Sequence, residues 1–140
     1  MIIKEFISET NRNQMIADLL KHYKVGSVKV KQKSMKDHAH YNVDTGTLEL
    51  STKYKTIKSS QIKDFIITMI HEIYHAMDSK RYGWRKFKKM WEYEANMITQ
   101  GFRKGKSDPY KDNPHEIEAE KFGQQNYSKW LQKFKKEGLI

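Results

Sequence analysis

The stretch from Ser59 to Lys80 limits what this chain can fold into more than any other. Ile62, Phe65, Ile66, Met69, Ile70, Ile73 and Met77 recur at helical spacing and form a wide apolar stripe. Ser59 and Ser60 offer caps at its start, and Gly83 breaks the pattern beyond its end. A helix with so broad an apolar face must be covered by the rest of the chain, so it is expected to be the most buried element. Polar groups nevertheless stand in its middle, in the sequence HEIYH from His71 to His75.

Residues four apart on a helix lie one above the other, so His71 and His75 can turn both imidazoles toward one metal ion. Glu72 is rotated by about 100° from His71. That direction suits a group that reaches a water on the ion better than a further member of the histidine pair. The chemistry served by this spacing is metal-assisted hydrolysis. Two imidazoles hold Zn²⁺, the ion polarises a carbonyl, and the glutamate takes a proton from the water and delivers it to the leaving amine. Two imidazoles and a carboxylate beside a core face would be costly without a role. The plain alternative is a half-exposed polar face carrying two ordinary histidines. Asp78, three residues after His75, either orients a ligand histidine through a hydrogen bond or is a charge at the helix exit.

A catalytic zinc needs three protein ligands and an open position. The chain has no cysteine, so the third ligand is a carboxylate or one of His22, His38, His40 and His115. Two segments echo each other downstream, WEYEAN at 91–96 and HEIEAE at 115–120. In the second, Glu116, Ala119, Glu120 and Gly123 share a helix face, and the small residues on it permit close approach of another helix. Glu116 also falls in a first turn, where free N–H groups and the helix dipole favour an anion. Glu116 is therefore the first choice. Glu120, one turn on, is placed to hydrogen-bond a ligand histidine and is the second choice, while Glu118 points elsewhere. Glu94, beside the apolar stripe of its helix, and Glu92 stay open as alternatives. A donor for the oxyanion could come from Tyr74, Tyr82, Tyr93, Tyr110 or His115, with Tyr110 and His115 foremost because they flank the ligand segment.

The 140 residues suit one domain over 1–140. A first helix is expected from about Thr10 to Tyr23, where Ile16, Leu19, Leu20 and Tyr23 share a face. Val25 to Gln32 alternates as a strand does, and Ala39 to Ser51 reads as a β-hairpin turning at Asp44, Thr45 and Gly46. Gly83 separates the central helix from a third helix, about Trp84 to Phe102, with Trp84, Phe87, Trp91, Ala95, Ile98 and Phe102 on one side. A loop, RKGKSDPYKD, leads to a fourth helix that opens on Asn113 and Pro114, an N-cap followed by proline at the first helical position. A break is expected near Gly123 before the pattern resumes through Trp130 and Phe134. Strands come early and helices late, which is an α+β arrangement with a small sheet packed on the HEIYH helix.

Hydrophobic residues make up 37% of the chain and recur through every long segment, which argues against disorder. No apolar run approaches a membrane span. The start, MIIKEFISETNRNQ, lacks the apolar stretch and cleavage site of a secretory signal, so a cytoplasmic protein is expected. The net charge is +10, from 27 Lys and Arg against 17 Asp and Glu. This favours polyanions or acidic surfaces at low salt, although a lysine-rich solvated surface explains it as well. Trp84 and Trp91 beside Arg85, Lys86, Lys88 and Lys89 could form a stacking and phosphate surface for nucleic acid, but their spacing suits a buried face better.

HEIYH followed by a helical glutamate resembles the gluzincin class of zinc metallopeptidases in its small single-domain forms, including ones common in phages. The resemblance runs from about Ala39 to Gly123 and rests on the hairpin with GTLELS, the HEIYH helix and NPHEIEA. It implies a zincin-like fold, a Zn²⁺ cofactor, a peptide or protein substrate, and the strand TLELS at the cleft edge pairing with extended substrate backbone. EYEAN is similar to the Glu-x-x-Ala-Asn segment of ImmA/IrrE-type peptidases, which would make Glu92 the ligand, although MITQGF follows here in place of the expected Phe-Ala. Glu94 follows His75 after 18 residues, a ligand spacing found in a large aminopeptidase group. SprT-like DNA-associated proteases are similar in their HExxH and basic charge, but they use a third histidine, for which only His115 is available. The competing expectation is a basic protein associated with nucleic acid, either a protease acting near DNA or a non-catalytic binding protein of zincin fold.

Overall fold

A computed structural model describes residues 6–140 and shows an α+β chain of four helices and two small sheets. In chain order the elements are β1 (Phe6–Ile7), α1 (Glu9–His22), β2 (Lys29–Lys33), β3 (Ala39–Asn42), β4 (Thr47–Ser51), β5 (Ile57–Lys58), α2 (Ile62–Tyr82), α3 (Trp84–Thr99) and α4 (Pro114–Lys136). None of the helices is long and apolar enough to cross a membrane.

The apolar stripe of α2 lies at the centre. Phe65, Ile66, Met69 and Ile70 have no exposed surface, and Ile73 and Ala76 are buried beside them. Met15, Ile16, Leu19 and Leu20 of α1, Leu48 and Leu50 of β4, and Trp130 and Phe134 of α4 complete one core. Burying side chains of this size is the main force holding the layers together. Ser8 caps α1 by accepting from the Asn11 N–H at 3.1 Å. Ser59 and Ser60 do not cap α2. They lie in a 3-10 turn, Ser59–Gln61, that leads into it.

β3 and β4 form the expected hairpin, with His40 opposite Glu49 and Tyr41 opposite Leu48. The third strand, β2, adds in parallel to the other side of β4. TLELS is therefore the central strand of this sheet, not its edge, and all five of its residues are buried. The edge beside α2 is β3. The sequence misleads here because a hairpin pattern does not say on which side a third strand adds.

α4 runs unbroken through Gly123. Glycine serves close approach at that position, not termination. A Cβ there would lie 2.8 Å from the carbonyl oxygen of Ile67 in α2. Beyond it the Trp130 indole donates to the Tyr23 hydroxyl at 2.9 Å, tying the far half of α4 to the end of α1. α3 stops at Thr99, and its apolar side is narrower than the sequence suggests. Phe87 and Ile98 are buried, whereas Trp84 and Phe102 are exposed.

Candidate metal centre

His71 and His75 project from the same side of α2 with ring centroids 5.0 Å apart. The group of His71, Glu72 and His75 brings three donor atoms within 4.8 Å of one another and could hold a metal ion. α4 faces this group because Ala119 and Gly123 let the helices approach closely. Asn113 caps α4 by accepting from the His115 N–H at 3.1 Å, and Pro114 starts its first turn. The next turn of chain delivers Glu116 to the histidines. Its Oε1 lies 2.9 Å from His71 Nε2 and 3.1 Å from His75 Nε2, and its Oε2 is also 3.1 Å from His75 Nε2. One turn on, Glu120 Oε2 is 2.8 Å from His71 Nδ1.

Donors about 2.0–2.1 Å from a tetrahedral ion stand roughly 3.3 Å from one another. Glu116 Oε1 stands close to that spacing from both Nε2 atoms. Glu72 is buried and its Oε2 has no hydrogen-bond partner, so its carboxylate is not consumed by structure.

Two buried carboxylates, Glu72 and Glu116, and the exposed Glu120 surround the two imidazoles and favour positive charge between them. Burial opposes protonation of His71, yet its contacts with Glu116 and Glu120 and the charge of Glu72 outweigh this and push it up to about 9. Burial likewise opposes the charge on Glu116, but hydrogen bonds from His71, His75 and the Trp91 indole hold it far below the usual carboxylate range. For Glu72 burial dominates and raises the carboxyl above its ordinary value, against the pull of both histidines. A divalent cation held there would replace the proton on His71.

Trp91 of α3, itself tied to the cap of α4, fixes Glu116. The Trp91 indole of α3 donates to its Oε2 at 2.8 Å. Asn113, fully buried, donates through Nδ2 to the Trp91 carbonyl at 3.1 Å, which pins α3 to the start of α4. Spacing along α3 shows Trp91 only as one of an apolar series. No sequence signal links it to a glutamate 25 residues later.

The remaining expected residues are more dispersed. Glu94 is held by Arg103 at 3.1 and 3.2 Å, and that pairing keeps its carboxyl low. Glu92 is exposed at the mouth of the cavity beside the site. Glu118 accepts from the Tyr74 hydroxyl at 3.5 Å. Asp78 is buried, and its ion pair is with Arg81 at 4.0 Å. It does not orient His75, whose Nδ1 has no hydrogen-bond partner. His115 packs edge-on against Phe87, 5.7 Å between centroids, and does not line the cavity. Of the five expected oxyanion donors only Tyr110 borders the cavity. Its hydroxyl reaches Glu116, and burial together with the charge of that carboxylate pushes the phenol well above its usual range.

The cavity has a volume of about 350 Å³, and Glu72, His75 and Glu116 lie along it. His40, Tyr41 and Val43 border it from β3 and the hairpin turn, Phe87 and Trp91 from α3. The sequence offers no reason to single out Tyr41 or Val43, since both read simply as alternating strand residues. No family model matches this chain, and no curated protein and no solved structure matches it significantly.

Proposed function

We propose that this protein is a zinc-dependent peptidase of zincin type. The observation that carries the reading is the Glu116 carboxylate set against both Nε2 atoms of the HEIYH pair, with the buried, unpartnered Oε2 of Glu72 beside it. The donor set fits zinc: two imidazoles and one carboxylate, with Glu120 accepting from Nδ1–H of His71 to fix its tautomer and orientation. Zinc bound there supplies Lewis acidity toward a carbonyl and brings the pKa of a water toward neutrality.

The chain's own residues do the rest. The Glu72 carboxylate would take a proton from the water whose oxygen adds to the carbonyl carbon and return it to the amine nitrogen as the peptide bond breaks. Its raised pKa, set first by burial, suits a group that must both take and give a proton. Tyr110 stands at the cavity to donate to a developing oxyanion. The β3 edge offers a track for the substrate. Ser51 N–H donates to the His38 carbonyl at 3.0 Å, so the backbone groups of His38 and His40 turn to β4 and those of Ala39 and Tyr41 turn outward. An extended peptide pairs with these outward groups.

Glu72→Gln should retain zinc and lower peptide hydrolysis by about 10²–10⁴-fold. Wild-type turnover by that variant would remove Glu72 from the chemistry.

The turn between α2 and α3 carries a different kind of surface. Trp84 and Tyr82 are exposed, with the Arg85 guanidinium 5.1 Å from the Trp84 ring and Arg81 and Lys86 5.9 and 6.0 Å from the Tyr82 ring. Exposed rings among cations support a second reading, association with single-stranded nucleic acid. Trp91 has no part in it, because its indole N–H is engaged by Glu116.

A further inference from the structure

Resting on the peptidase reading, we infer that the cavity beside Glu72 and His75 selects substrates with a large apolar side chain, aliphatic or aromatic, next to the bond that is cleaved, and that Val43 sets the size limit. The cavity and the reacting groups share walls. Glu72, His75 and Glu116 line it together with Tyr41, Val43, Phe87 and Trp91. A peptide carbonyl presented to the first set places an adjoining side chain against the second.

Volume and charge narrow the class. About 350 Å³ is at the small end of the ligand-pocket range of roughly 300–1,000 Å³, which suits one bulky side chain and not a string of them. Burying a charged side chain against Tyr41, Val43, Phe87 and Trp91 would be costly. Of the charged groups that line it outside the candidate metal centre, Lys88 is already paired. Lys88 donates to Asp44 at 2.9 Å, and Glu92 is exposed at the mouth. Val43 is half-buried in the hairpin turn, borders the cavity and packs at the margin of the main core, so a larger side chain there would narrow the cavity.

The test uses the zinc-loaded protein in two arms. In the first, a peptide library randomised around one bond is digested by wild type and by Val43→Trp. Wild type should favour Phe, Leu, Met or Tyr over Ala next to the cleaved bond by at least about tenfold, and Val43→Trp should erase that ratio. A flat wild-type profile, or the same preference in Val43→Trp, would overturn the proposal. In the second arm, binding of a benzyl-bearing hydroxamate is compared with binding of acetohydroxamate. The benzyl compound should bind wild type at least about tenfold more tightly, and equal affinities would overturn the pocket assignment. A protein that keeps zinc and prefers the benzyl compound but cleaves no peptide would refute the peptidase reading and leave the apolar pocket supported.

Discussion

The Glu116 carboxylate has two equivalent oxygens, and its neighbours treat them differently. His71 Nε2 faces Oε1 at 2.9 Å, while His75 Nε2 is 3.1 Å from each oxygen. The histidines alone would let both oxygens approach an ion between them. The Trp91 indole occupies Oε2 at 2.8 Å and so leaves Oε1 as the oxygen aimed at the pair. Hydrogen bonds of this kind typically change metal affinity by about 10–100-fold. Trp91→Phe keeps an aromatic ring but loses the N–H, and its zinc affinity, measured by competition with a chelator, should fall by about that factor. Trp84→Phe, exposed and remote from Glu116, should leave the affinity unchanged. Glu116 itself was legible in the sequence, because an Asn-Pro start, a first-turn acid and a small-residue face coincide in one segment. Trp91 was not legible, since its role depends on how α3 crosses the start of α4.

The close approach of α2 and α4 is what brings Glu116 and Glu120 to His71 and His75. Gly123 makes that approach possible, with the Ile67 carbonyl oxygen only 2.8 Å from where a Cβ would stand. Alanine ordinarily stabilises a helix interior over glycine by roughly 0.5–1 kcal/mol. Here a clash with backbone opposes that gain, and overpacking of this kind costs about 1–3 kcal/mol. Gly123→Ala should therefore lower the melting temperature and, by shifting Glu116 and Glu120 together, weaken zinc binding. A variant with a raised melting temperature and unchanged zinc affinity would contradict this role. The sequence marks Gly123 as special but suggests a break, because glycine weakens a helix in isolation. Only the neighbour on α2 explains why the helix continues. The same limit applies to the sheet. The alternation of Tyr41, Val43, Leu48 and Leu50 reveals the hairpin, and the parallel partner β2, which makes β4 central and leaves β3 at the edge, is not encoded in that alternation.

Across the whole molecule the charge is strongly positive while the candidate metal centre is locally negative. The chain carries a net +10, yet Glu72, Glu116 and Glu120 gather around two histidines. The excess cations therefore lie on the outside, and Arg81, Arg85 and Lys86 meet exposed rings at the α2–α3 turn. If this surface carries single-stranded nucleic acid, binding should weaken steeply as salt rises, and Trp84→Ala should weaken it further at fixed salt. Binding insensitive to both would exclude that surface. The central claim concerns the inside, namely that His71, His75 and Glu116 close one metal centre. Metal analysis of the purified wild type beside Glu92→Ala, Glu94→Ala and Glu116→Ala tests it most directly. The account predicts one zinc per chain in wild type and in the Glu92 and Glu94 variants, and its loss in Glu116→Ala. Full zinc occupancy in Glu116→Ala, or its loss in Glu94→Ala instead, would contradict it.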